Sequence, residues 1–206
     1  MNIDKRYQRN INLLILNLFF QGFILGWVVI QVLFFQNLNL NFSQISIIFL
    51  VLSLTILICE IPTGILTDFH GRKKSIIIYG VFMVIVTFMY TLSSNFYSLL
   101  FVVAFHGLGV SFVSGTISSF LYESLKKLNR KSEYKKYISK AHLFFAIASI
   151  ITGFTIPIIF KYNSHYPFYI GTFFAILLLI TSFFLFEEVK VIKKNKSFEK
   201  SFIKKI

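Results

Sequence analysis

Long apolar runs without a charged residue dominate the chain: no Asp, Glu, Lys or Arg occurs in 10–59, 75–122, 141–160 or 162–186. A bilayer core of roughly 30 Å is crossed by about 20 helical residues. The last two runs therefore predict one span each. The first two, at 50 and 48 residues, have room for two each. Both are interrupted by polar residues near the middle, Gln36-Asn37-Leu38-Asn39-Leu40-Asn41 in one and Ser93-Ser94-Asn95 in the other. Asn and Ser hydrogen-bond to nearby backbone and favour turns over helix interiors. Six spans follow, near 11–35, 43–67, 75–93, 96–123, 138–160 and 167–187. The runs lack lasting period-2 alternation and exceed the roughly 9–11 residues of a barrel strand. The expectation is an all-α membrane protein with six transmembrane helices.

Composition agrees. Hydrophobic residues make up 56% of the 206 and charged ones 14%, against about 25% charge in soluble domains. One cysteine excludes an intrachain disulfide, and with four scattered histidines no metal site is expected. No phosphate-binding loop or dinucleotide fingerprint occurs, so no cofactor is expected. A net charge of +13 would suit nucleic acid, but the positions of the charges argue otherwise. Twenty of the 21 basic residues fall at the N-terminus, in the second-to-third loop, around the fourth-to-fifth loop or in the tail, and only Lys161 falls on the other side. By the positive-inside rule both termini are cytoplasmic, in the plasma (inner) membrane. The charge then serves topology and attraction to anionic lipids, with no nucleic-acid partner. The first span has a basic flank, but its apolar stretch is too long for a signal peptide and no cleavage site follows. Residues 1–10 read as a cytoplasmic N-terminus, 11–187 as the six-span domain and 188–206 as a basic linker or tail.

Polar groups inside the spans are the candidate chemistry. In the first span, taking Asn17 as zero, Gln21 falls near +40° and Gln31 near −40°, at about 100° per residue. That stripe suits a water-filled cavity or interhelical hydrogen bonds. Gly22 and Gly26 fall on the opposite side, where a neighbouring helix can approach closely. Glu60, an acid within the second span, reads as a proton relay or as a snorkelling, hydrogen-bonded group. Pro62 beside it can kink the helix. Gly107, Ser111, Gly115 and Ser119 recur every fourth residue, a small-residue packing seam. His106 and His142 suit packing or proton carriage. An intramembrane serine protease of the rhomboid type needs Gly-x-Ser-Gly, and Phe112 breaks that pattern at Ser114-Gly115. The chain is not expected to be an enzyme.

The second-to-third loop reads Gly64-Ile65-Leu66-Thr67-Asp68-Phe69-His70-Gly71-Arg72-Lys73-Lys74. Two glycines bracket an acid, and a basic cluster follows. The pattern resembles the G-x-L-x-D-R-x-G-R-[KR] signature of the major facilitator superfamily, through Gly64, Leu66, Asp68, Gly71, Arg72 and Lys73. Phe69 stands where the family usually has Arg or Lys. Glu60-Ile61-Pro62-Thr63-Gly64 resembles the E-x-P-T-G lead-in of a bacterial subgroup. Ser114-Gly115-Thr116 and Leu121-Tyr122-Glu123-Ser124-Leu125 resemble its S-G-T…L-Y-D-S-L stretch, with Ile117 and Ser118 where acids are common. The resemblance implies a conformational latch in which Asp68 and Arg72 meet an acid at the end of the fourth span, here Glu123.

The resemblance covers one half of that fold, the N-terminal domain built of two inverted three-helix repeats. It implies secondary active transport of a small solute by alternating access, with proton coupling open. In 189–206, Phe198, Phe202 and Ile206 recur every four residues among seven lysines, like the start of a basic interfacial linker. A single half cannot rock against another. The expectation is a truncated, non-transporting fragment, or a half that assembles with a second six-helix chain or a second copy.

Overall fold

In the computed structural model, residues 3–188 are described. They are helical throughout, with no strand among them. The first span comprises α1 (Ile3–Ile24), a 3-10 stretch (Leu25–Ile30) and α2 (Gln31–Asn37). The second is α3 (Phe42–His70) and the third α4 (Arg72–Leu92). The fourth is split into α5 (Phe96–Val113) and α6 (Thr116–Lys127). After a 3-10 turn (Lys131–Glu133), α7 (Tyr134–Tyr162) and α8 (Tyr166–Phe183) complete the six. Each span is long and apolar enough to cross a membrane.

Both polar interruptions are turns that also start the next helix. The Asn41 side chain accepts from the Gln44 amide at 2.9 Å, and the Gln44 side chain accepts from the Asn41 amide at 3.0 Å. Asn95 and Ser98 repeat this capping box before α5. Each box satisfies two amides that a helix start leaves without partners. The helices run beyond the predicted spans at the basic end, because the backbone ladder continues where apolar side chains stop. The sixth behaves oppositely, ending at Phe183 rather than 187. Asn10 explains this by bonding both backbone groups of Phe186, donating to its carbonyl at 2.6 Å and accepting from its amide at 2.8 Å. Those groups are lost to a continuing helix. The tail 189–206, including the Phe198, Phe202 and Ile206 repeat, lies outside the described residues.

The main packing pairs are third on sixth, first on fifth, second on fourth, third on fourth and first on sixth. This set maps onto itself when spans one, two and three exchange with four, five and six. Helix anatomy follows the same rule. Spans one and four are interrupted, whereas α3 and α7 are unbroken 29-residue helices, each with an internal proline. The pairing pattern is that of two three-helix repeats.

Burial is uneven. Trp27, Phe34, Phe35, Tyr90 and Phe168 fill the core at the end opposite the termini, and Ile11, Leu14, Phe120, Leu121 and Leu185 fill it at the basic end. α3 and α7 bury little and present Leu57, Ile58, Ile61, Ile150, Phe154 and Ile158 outward.

Candidate functional site

The turn between α3 and α4 is a single residue, Gly71, at φ 96° and ψ 154°. Residues with a Cβ are essentially barred from this region. The Gly71 amide donates to the Thr67 carbonyl at 2.9 Å. Ser75 of α4 donates to the Thr67 hydroxyl at 2.8 Å, tying the two helices below the turn.

The turn delivers Arg72 to the fourth span. Its guanidinium forms an ion pair with Glu123, and its Nε donates to Ser119 Oγ at 2.9 Å. The planar fork suits two acceptors one turn apart on the same helix. Both ends are partly buried, so water screens the pair less than a surface bridge.

No sequence motif singles out Glu187. Its carboxylate accepts from the Arg72 amide at 3.0 Å and the Lys73 amide at 2.8 Å, capping the start of α4. A helix N-terminus carries partial positive charge and unpaired N–H groups, which favours an acid there. A Cβ on Gly71 would lie 2.6 Å from Glu187 Oε2, so the glycine also gives this carboxylate room. Two adjacent acids, among only eight in a basic chain, were the available signal.

The described residues after α8, 184–188, are clasped. Arg9 donates to the Phe184 carbonyl at 2.9 Å, Arg6 lies over the Phe186 ring, and Lys127 bonds Glu188 at 2.6 Å. That lysine holds the Glu188 carboxyl below the usual glutamate range. Two grooves flank the arrangement. One is lined by Asp68, Arg72 and Glu187, the other by Glu123, Lys127 and Glu188.

Asp68 does not join this group. It is exposed on the last turn of α3 and makes no hydrogen bond or ion pair among the described residues. Glu187 already occupies the α4 amides that Asp68 could cap, and the Arg72 fork turns to α6. The cluster is therefore Arg72, Glu123, Ser119 and Glu187. Lys73 contributes its backbone, and a Cβ on Gly64 would meet nothing within 4 Å.

The polar stripe of the first span makes contacts with neighbouring helices. Asn17 is fully buried and accepts from Thr181 of α8 at 2.7 Å. Gln21 donates to the Tyr79 hydroxyl of α4 at 3.0 Å, and Gln31 is buried beside Tyr90. On the opposite side, a Cβ added to Gly22 or Gly26 would lie only 2.7 Å from Ala148 Cβ or 2.6 Å from Thr152 Cβ of α7, so glycine lets the two helices approach closely.

The seam on the fourth span divides by role. Gly107 meets Thr55 and Leu52 of α3, and the Ser111 carbonyl accepts from Thr63 at 3.0 Å. Gly115, at φ +67° with open space around it, sits at the break between α5 and α6, and Ser119 serves Arg72. The packing face thus holds through Ser111 and gives way to a break at Gly115. His106 is buried 5.6 Å from Trp27, measured between ring centroids, while His142 is exposed on α7. Glu60 is exposed and accepts from Ser114 at 2.5 Å. Among the described residues no His, Cys, Asp and Glu group could hold a metal.

Fold and turn together define a multi-pass membrane protein of six helices in two repeats. Residues 12–205 match the family model of the Major Facilitator Superfamily, and the chain belongs to that superfamily. It is 32% identical over 178 residues to an uncharacterized MFS-type transporter of Methanocaldococcus jannaschii, covering 86% of this chain and 44% of that protein. It is 33% identical over 148 residues to an uncharacterized transporter of Buchnera aphidicola subsp. Schizaphis graminum, covering 68% of this chain and 36% of that protein. The chain spans less than half the length of these relatives.

Proposed function

We propose that the chain is the N-terminal six-helix half of a secondary carrier. It moves a small solute across the inner membrane by alternating access, with both termini cytoplasmic and the basic end against anionic lipid. The observation that carries this reading is the Arg72 bond to Glu123 across the third and fourth spans, at the turn that the superfamily signature occupies. A charge-assisted pair made in one state and absent from the other biases the equilibrium between them by its differential strength. The role is that of a carrier rather than an enzyme, and the E-x-P-T-G subgroup is the one its motifs resemble.

The uncovered apolar faces of α3 and α7 support assembly with a second six-helix half. A solute site between two halves also fits the interior of this one, where Asn17 and Gln21 of the first span bond to Thr181 and Tyr79 of neighbouring helices. Proton coupling belongs to the same reading, with Glu60 as the candidate acid.

Flux of a panel of labelled solutes in membrane vesicles tests the proposal. Arg72→Ala and Glu123→Gln should each change the flux, and the double variant should add little, since the two residues act as one unit. Asp68→Asn should abolish transport with insertion intact, acting in the state where its carboxylate finds a partner. Rates unchanged in all three would defeat the latch. Flux from the chain only when a second six-helix half is co-expressed supports the half-carrier; no flux in either arrangement leaves a non-transporting membrane protein.

A further inference from the structure

The second and fourth spans are weakened at the same level, and one side-chain bond joins the two weak points. In α3, Pro62 has no N–H to give the Ile58 carbonyl. In the fourth span, α5 ends with the Ser114 amide donating to Val110 at 3.1 Å, and α6 begins with Ser119 donating to Gly115 at 3.0 Å. Two carbonyls before this break take side-chain partners. Ser111 accepts from Thr63 of α3 at 3.0 Å, and Phe112 accepts from Thr116 at 2.9 Å. A break at membrane depth persists only when neighbours satisfy its backbone in this way. A Cβ added to Gly115 would meet no atom within 4 Å, so the φ of +67°, not packing, requires glycine.

Glu60 closes the junction. Its carboxylate accepts from the Ser114 hydroxyl, next to Gly115 and one turn from the Thr63 bond. The segments beyond the two weak points, 63–70 and Thr116–Lys127, lead directly to Gly71, Ser119 and Glu123. Other titratable groups on the packed helices are engaged or distant. His106 is buried against Trp27, Tyr79 bonds Gln21, and Arg72 pairs with Glu123. Tyr90 and Tyr97 lie toward the opposite end, and Lys73, Lys74, Tyr122, Lys126 and Lys127 lie in the turn or the last turns of α6.

We infer that Glu60 is a proton-binding site whose occupancy sets the hinge of the fourth span. Ionised, it holds Ser114 through a charge-assisted bond and fixes the α5–α6 break against α3. A proton taken up on the carboxylate removes the charge and leaves a neutral bond of roughly half the strength. α6 is then freer to turn about Gly115, carrying Glu123 away from Arg72. The inference deepens the proton-coupled reading above by naming what the proton moves.

Amide exchange of the 111–119 region, in the full chain in lipid nanodiscs and corrected for intrinsic exchange chemistry, tests it. In the unsubstituted chain, exchange should rise about fivefold from pH 8 to pH 4, as expected for losing the charge-assisted part of one such bond. Glu60→Gln and Ser114→Ala should exchange at the faster rate at both pH values, and Ser114→Thr should keep the pH response. Exchange in Glu60→Gln equal to that of the unsubstituted chain at pH 8, or a pH response that survives this substitution, overturns the inference. If a pH gradient drives flux that Glu60→Gln abolishes while exchange stays unchanged, proton coupling stands and the hinge falls. If exchange changes as described while flux ignores the gradient, the hinge stands and the coupling reading falls.

Discussion

Gly71 shows how much one residue can be asked to do. It occupies backbone space closed to other residues, and it leaves room for the carboxylate that caps the next helix. Gly71→Ala should lower stability by about 1–3 kcal/mol, read as thermal unfolding in detergent. Adding Glu187→Ala should recover only the crowding part, because the backbone strain remains. Glu188 gives a pH signature. Its folded carboxyl titrates below the ordinary range, so its contribution is complete above the unfolded value and fades as pH falls through the folded one. Proteolysis near 184–188 should accelerate on acidification below about pH 4.5, and Lys127→Ala should remove that dependence. Arg72 and Gly71 were legible because a turn motif is local. Glu187 was not, since it meets Arg72 across 115 positions and a lone capping acid leaves no pattern around it.

Among the elements, the apolar runs and their polar interruptions were the readable part, because Asn41 and Asn95 both end one span and cap the next. The breaks inside spans one and four were not. Gly115 keeps a four-residue spacing that reads as a smooth seam, and a residue's left-handed backbone is invisible in that spacing. Of the two roles that the first span's stripe suited, interhelical hydrogen bonding is the one seen at Asn17 and Gln21. Periodicity says which residues share a face and not what stands opposite, and here Thr181 and Tyr79 stand there. The glycines separate by the same logic. Gly22→Ala should cost about 1–3 kcal/mol by overpacking against the Phe145 carbonyl and Ala148. Gly64→Ala, with open space around it inside α3, should stabilise by about 0.5–1 kcal/mol. Unfolding of the two variants should shift in opposite directions.

For the whole molecule, the apolar faces of α3 and α7 are the main unfinished surface. Cysteines placed at Ile61 or Phe154 should react with lipid-phase alkylating probes in the chain alone and be protected when a second six-helix half is co-expressed. Equal labelling in both cases would remove these faces from any such contact. The six-span count and the two-repeat arrangement were within reach of the sequence. The unequal covering of its helices was not, because an apolar helix reads alike whether it faces lipid or protein. The two-repeat packing has its own consequence. A set of helix pairs that maps onto itself under exchange of halves contains little to distinguish up from down. The exchange maps the turn bearing Arg72, Lys73 and Lys74 onto the connection between α7 and α8, where Lys161 is the basic residue. Insertion direction is therefore written in loop side chains rather than in the packed interior. Moving a few lysines between those two connections should yield a population inserted both ways, each folded alike.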